Sequence, residues 1–279
     1  HDRYRPACAI SFAGGIDADG KISSLVIKSA GSAIFKFFYR NFSAAAGFAD
    51  MFYDIPNVSA RNVISEKLNV PVGTWRSPGL NQNIFFIESF IDELAYAAGL
   101  DPVEFRKAHL GTQPRHLQVL EKVAEMADWG NPAVAGAAHG IAIHQAHGSV
   151  FAQVAEVSVI NGSVTVHKVY CAVDCGQVVN PDIVKAQMEG GIIFGLTAAL
   201  YGEITLDRGR VAQSNFHNYP MVSMRDAPEV ETAIIASGAA PGGVGEGGVP
   251  PVFPAVTNAV YAATGQRIRK LPLSLHDFS

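Results

Sequence analysis

Thr232-Ala-Ile-Ile-Ala-Ser-Gly-Ala-Ala-Pro-Gly-Gly-Val-Gly-Glu-Gly-Gly-Val-Pro-Pro251 decides how this chain reads. Its first six residues are apolar and β-prone, and its last residues lead into Val252 to Thr264, an apolar run closed by Gly265. Strand, glycine loop and helix in succession form a site-building arrangement, because a helix start offers free backbone N–H groups to an anion or an oxygen-rich ligand. Glu246 stands alone in it: from Thr232 to Gln266 no other Asp, Glu, Lys or Arg occurs. Glycines on either side let another molecule approach the carboxylate closely. Apolar neighbours would favour its protonated form, which suits a general base. An ordinary exposed loop acid is the competing reading. The glycine spacing fits neither a dinucleotide fingerprint nor a P-loop, and no P-loop lysine follows.

Working outward, 48 % of the 279 residues are hydrophobic and 16 % charged, which predicts a well-buried globular chain. The net charge of −4 and pI near 6.1 argue against a nucleic-acid partner. Uninterrupted apolar runs fall short of a membrane span. The opening His1-Asp-Arg-Tyr-Arg-Pro carries no leader pattern and leaves the compartment, cytoplasmic or periplasmic, undecided. Cys8, Cys171 and Cys175 are too few for a disulfide or metal framework and read as small core residues.

Hydrophobic patterning predicts an α+β chain of mixed sheets and packed helices in two lobes, residues 1–136 and 137–279. In the first lobe, Cys8–Phe12 and Ile22–Lys28 flank a hairpin turn at Asp17-Ala-Asp-Gly20. Ser29–Met51 reads as irregular. Ile84, Ile87, Ile91, Leu94 and Ala98 recur at helical steps ending at Gly99. Asp101-Pro-Val-Glu104 begins a second helix with a capping box, and a third runs from His116 to Asp128. In the second lobe, strands span Ile141–Val159 and Val164–Val173, the latter after the hairpin turn Asn161-Gly162. Asn180-Pro181 starts a helix to about Leu200, and short strands near Gly202–Leu206 and Thr232–Ser237 lead to Glu246.

Other side chains are also candidates for chemistry. His139, His144 and His147 lie close in sequence but without an acid at ligand spacing, so packed or surface roles outweigh a metal role. Arg76, in Val72-Gly-Thr-Trp-Arg-Ser-Pro-Gly79, is either an oxyanion-binding fork held in a pocket or a surface arginine stacked on Trp75. Gln187, beside Glu189-Gly-Gly191, would by itself be an ordinary helical glutamine.

Four segments, taken together, resemble the molybdenum hydroxylases, the xanthine dehydrogenase and aldehyde oxidase family, and within it the large subunit of isoquinoline 1-oxidoreductase-type enzymes. They are His1-Asp-Arg-Tyr-Arg-Pro6; Pro71–Gly79 with Glu88–Ala95 and Asp101–Arg106; Val173–Pro181 with Gln187–Gly191; and Val244-Gly-Glu-Gly247 leading to Pro250-Pro251. The resemblance implies a molybdopterin-type molybdenum cofactor and a molybdopterin-binding large-subunit fold. It casts Glu246 as the general base activating the attacking oxygen. It places Gln187, Gly245 and Gly247 at the cofactor and Arg76, less directly, at the substrate. It also implies an aldehyde or N-heteroaromatic substrate and a small iron–sulfur partner subunit, since no cluster-binding cysteine set is present. The family's Gly-Gly-Gly-Phe-Gly and Gly-Gln-Gly cofactor segments are absent, so the chain is expected to work with an N-terminal portion of the same large subunit. A cofactor-free fragment or diverged binding module is the alternative.

Overall fold

The computed structural model describes residues 3–32, 46–65 and 70–279. Most of the Ser29–Met51 stretch read as irregular lies outside the described residues. The first hairpin forms as expected: β1 (Cys8–Ile16) pairs antiparallel with β2 (Ile22–Gly31), which pairs in parallel with β3 (Val58–Ile64). Three helices follow, α1 (Leu80–Ala97), α2 (Pro102–Ala108) and α3 (Pro114–Met126). Asp101 caps α2, its carboxylate accepting the Val103 and Glu104 N–H groups at 2.8 and 3.1 Å. Glu104 does not complete a capping box; its carboxylate pairs with Lys107 at 3.0 Å instead.

The second sheet runs β4 (Ala137–Ala146), β5 (Ser149–Ile160), β6 (Ser163–Asp174) and β9 (Glu229–Ile234), in that order. Asn161 and Gly162 take the positive φ angles, 50° and 77°, of a two-residue hairpin turn between β5 and β6. A second such turn, His147-Gly148 at 52° and 79°, joins β4 to β5. β9 returns parallel to β6, which requires a crossover. That crossover contains α4 (Pro181–Leu200) and the small hairpin β7 (Leu206–Asp207) with β8 (Arg210–Val211). The strand expected near Gly202–Leu206 forms only at Leu206–Asp207, where Arg208 and Gly209, at φ 48° and 80°, turn the chain back to pair with Arg210–Val211.

Strand alternation gives the second sheet two apolar faces. Val150, Ala152 and Val154 of β5 pack with Ile87, Ile91, Phe105 and Leu120 from α1 to α3. Phe151, Ala155 and Val157 point the other way, onto α4 and the final helix α5 (Val252–Thr264). This period of two is what a sheet covered on both faces demands. The core beneath α1 to α3 therefore mixes residues from either side of position 136.

Helix α4 is long and apolar enough to cross a bilayer by length and composition alone. Its Met188, Ile192 and Leu196, however, are fully buried in the core with α5. Each such burial contributes roughly 1.5–3 kcal/mol, which explains the apolar stripe without a membrane. Asn180 caps α4 through the Asp182 and Ile183 N–H groups at 3.0 and 3.1 Å. Helix α5 has the bounds its sequence predicts, ending on Gly265 in the left-handed conformation at φ 74°.

Candidate active site

The site is assembled on one face of the β4–β5 hairpin. His144 and Phe151 are cross-strand neighbours whose rings stack at 5.1 Å. His144 Nε2 donates to the Gly247 carbonyl at 2.9 Å, and Gln153 Nε2, two residues beyond Phe151, donates to the Gly248 carbonyl at 2.9 Å. Gly247 lies flat on Phe151: a Cβ there would come within 2.1 Å of the ring. Side-chain absence at 247 is thus demanded from below, by the sheet. Gly245 is the opposite case, for a Cβ there would meet nothing within 4 Å.

Between these glycines the Glu246 carboxylate is held at both oxygens. The Ser77 N–H donates to Oε1 at 3.1 Å, and His147 Nε2 lies 3.2 Å from Oε2. The side chain keeps 35 % exposure. The apolar setting expected from sequence is not what surrounds it: polar donors and an open side do. The expected free N–H groups at the start of α5 are also covered, since Val252 and Phe253 are fully buried and Val252 packs close against Gly195 of α4.

Arg76 reaches the same place from the loop before α1. Its Nε donates to the Gly245 carbonyl at 2.8 Å, joined there by Nη2, which also donates to Gln187 Oε1 at 2.9 Å. Arg76 does not stack on Trp75; that ring stacks on Phe194 at 4.5 Å and carries Arg5 over it at 5.0 Å. Asn81 pins the Arg76 loop by donating to the Arg76 carbonyl at 3.2 Å. The structure therefore brings Arg76, Gln187 and the adjacent Gly245 and Glu246, from three distant segments of the sequence, onto one open shelf. The cavity of about 620 Å³ beside Tyr4, Trp75 and Tyr219 lies elsewhere.

Loop and turn are tied together behind the shelf. The Gly243 N–H donates to the His147 carbonyl at 2.8 Å and the Gly242 N–H to the Cys175 carbonyl at 2.9 Å. Arg115 of α3 spans from the Gly148 carbonyl at 3.2 Å to Asp174, 2.7 Å from its Nε. Asp174 also accepts from Ser237 Oγ at 2.7 Å and the Gly176 N–H at 2.9 Å. Burial alone would raise the Asp174 pKa, but these donors outweigh it and hold the carboxyl below its ordinary value. His144 goes the other way: burial lowers its pKa to about 4, so the imidazole is neutral at pH 7.

Of the three histidines, His144 is a packed residue, as expected. His139 is likewise buried and sits 3.3 Å from Glu156. His147 is the residue that sequence reasoning missed. It sits in the hairpin turn rather than on a strand, 99 positions before Glu246. The His-Gly pair, a turn signal between two apolar runs, was the available clue.

Comparison with known proteins places the chain. Two family profiles, each described as a molybdopterin cofactor-binding domain, match residues 1–110 and 98–228. The beta subunit of isoquinoline 1-oxidoreductase from Brevundimonas diminuta is 40 % identical over 226 residues, 79 % of this chain and 29 % of that subunit. Among solved structures, quinoline 2-oxidoreductase from Pseudomonas putida 86 superposes with TM-score 0.80 at 13 % identity, over 95 % of this chain and 61 % of that one. Aldehyde oxidoreductase from Desulfovibrio desulfuricans ATCC 27774 gives 0.79 at 15 % identity, over 96 % and 48 %. The chain belongs to the molybdopterin-binding molybdenum hydroxylase family of xanthine dehydrogenase and aldehyde oxidase. Its mixed sheets and packed helices are the fold of that family's large subunits. It spans less than a third of the isoquinoline enzyme's subunit.

The residues present suit a molybdopterin group. Arg76 occupies Gln187 Oε1, and among the described residues the amide nitrogen has no protein acceptor, leaving two N–H donors for a ligand. Gly245 and Gly190 leave the shelf free of side-chain bulk, the nearest atom to a Cβ at Gly190 being Arg76 Nη1 at 4.0 Å. Amide, guanidinium and bare backbone are donor chemistry for a pterin and its phosphate. Among the described residues, no group of three His, Cys, Asp or Glu side chains could hold a metal ion directly.

Proposed function

We propose that this chain is the base-bearing part of the catalytic subunit of a molybdopterin-dependent oxidoreductase that hydroxylates an N-heteroaromatic compound or oxidises an aldehyde, with Glu246 as general base. The supporting observation is the carboxylate itself: fixed at both oxygens, open on one side, and flanked by Gly245 and Gln187 on the same shelf. Each carboxylate oxygen has lone pairs beyond the one its donor uses, so a proton can be accepted without breaking either hydrogen bond. When bound, the cofactor supplies the two-electron redox chemistry. Glu246 takes up the proton of the attacking oxygen nucleophile, a role worth about 10²–10⁴ in rate.

Gln187 presents its amide N–H groups to the cofactor. Gly245 lets the backbone come close to it, and Gly247 contributes from beneath by seating the loop on Phe151. Arg76 fixes the shelf by clamping Gly245 to Gln187, with its remaining N–H groups toward substrate. The remainder of a longer large subunit and an iron–sulfur subunit are the proposed partners. Exposed apolar side chains such as Val179, Phe216 and Met224 give them surface to cover.

The test is to purify the assembled enzyme, measure molybdenum and pterin per polypeptide, and assay an aldehyde and an N-heteroaromatic substrate. Cofactor near stoichiometry with turnover of one class supports the reading. Assembled protein with neither would overturn it in favour of a cofactor-free binding module.

A further inference from the structure

Among the described residues, five other than glycine adopt positive φ: Ser77, Asp128, His147, Asn161 and Arg208. Two of the five, at φ 66° and 52°, are the residues that contact the two oxygens of Glu246. The left-handed conformation disfavours a side chain and persists where the surroundings enforce it. At Ser77 the bond comes from the backbone N–H, so any residue but proline could supply it. At His147 it comes from the side chain, in a turn position that asparagine or glycine would fill more readily.

The turn is also fixed on every side. Arg115 holds the Gly148 carbonyl from α3, the His147 carbonyl accepts the Gly243 N–H, and a Cβ on Gly243 would lie 2.9 Å from the His147 Cβ. Loop and turn are therefore joined through backbone as well as through the imidazole. Glu246 on the loop, Arg115 on α3 with its partner Asp174, and the buried His144 on β4 are charged or titratable groups around it.

We propose that His147 is the positioning residue of the catalytic carboxylate. Its Nε2–H holds Oε2 while the Ser77 N–H holds Oε1, so that the carboxylate plane has one orientation and its free lone pairs face the open shelf. This rests on the general-base reading of Glu246.

Two measurements on the assembled enzyme test it. The first needs no turnover: the rate at which diethyl pyrocarbonate labels His147, read by peptide mass spectrometry. Glu246→Ala frees the ring, and labelling at pH 7 is expected to rise about threefold, while exposed His217 in the same sample stays constant. An unchanged His147 rate overturns the contact. The second compares His147→Asn and His147→Gly, both able to keep the turn, at equal molybdenum content. We expect kcat to fall about tenfold with KM within about twofold, and added imidazole to restore turnover in the glycine variant. Wild-type kcat in His147→Asn overturns the positioning role. If Glu246→Gln keeps full turnover, the general-base reading fails instead, and the labelling result still decides whether the two side chains are paired.

Discussion

Two of this protein's glutamates, Glu88 and Glu246, are held at both carboxylate oxygens, and the comparison explains why only one is proposed to do chemistry. Glu88 of α1 is wholly buried. Its Oε1 accepts from Tyr53 at 2.8 Å, and its Oε2 accepts from Arg106 Nε and from the Ile143 N–H, both at 3.0 Å. Arg106 continues to Asp92, and Asp92 to Arg267 at 2.8 Å, whose guanidinium lies 3.5 Å above the Tyr261 ring. This network ties α1, α2, β4, α5 and the C-terminal segment together in the protein interior. Glu246 has one donor on each oxygen and one side free. A carboxylate saturated with donors in the interior stabilises a fold, whereas one that is aimed but unsaturated is available for proton transfer.

The sharpest way to break the comparison is to open the buried network. Glu88→Ala leaves Arg106 without its main counter-charge at 0 % exposure, which should cost about 3–5 kcal/mol in denaturant unfolding. A loss below about 1 kcal/mol would mean that the network is not structural.

Acid comes next. His116 and His144 both have pKa values lowered to about 4, burial being the first cause in each. The unfolded chain binds protons at the ordinary value of 6.5, so stability is complete above that pH and declines as pH falls from 6.5 toward 4. Each histidine contributes on the order of 2–3 kcal/mol across that window. Urea unfolding midpoints measured from pH 7 to 4 check this, and His144→Gln should flatten the slope.

The glycines give the finest contrast. Gly247→Ala drives a methyl into the Phe151 ring and should cost about 1–3 kcal/mol by overpacking. Gly245→Ala meets no protein atom and should leave stability within about 0.5 kcal/mol while lowering molybdopterin content. If Gly245→Ala retained a full cofactor load, the shelf would have to be assigned elsewhere.

Legibility in the sequence followed the range of the interactions. The second hairpin turn at Asn161-Gly162, the Asn180 cap and the Val252–Thr264 helix could be read locally, because turn and cap preferences act within a few residues. The two-residue length of the strand at Leu206–Asp207 could not, since its pairing with Arg210–Val211 depends on where Arg208-Gly209 turns the chain. Glu246 was legible as an isolated acid among glycines. The donors around it were not, because Ser77 lies 169 positions and His147 99 positions away. Nor could composition separate the two neighbouring glycines, one pressed on Phe151 and the other bare. Gln187 was reached through family resemblance and Arg76 as one of two readings of its own loop; the guanidinium bridging Gln187 and Gly245 became visible only in three dimensions.

The central claim is that Glu246 accepts the proton in the chemical step. Its most direct test is the stopped-flow rate of enzyme reduction by substrate, comparing wild type with Glu246→Gln at matched molybdenum content. At least about a 10³-fold slower reduction is expected; reduction at the wild-type rate would contradict the account.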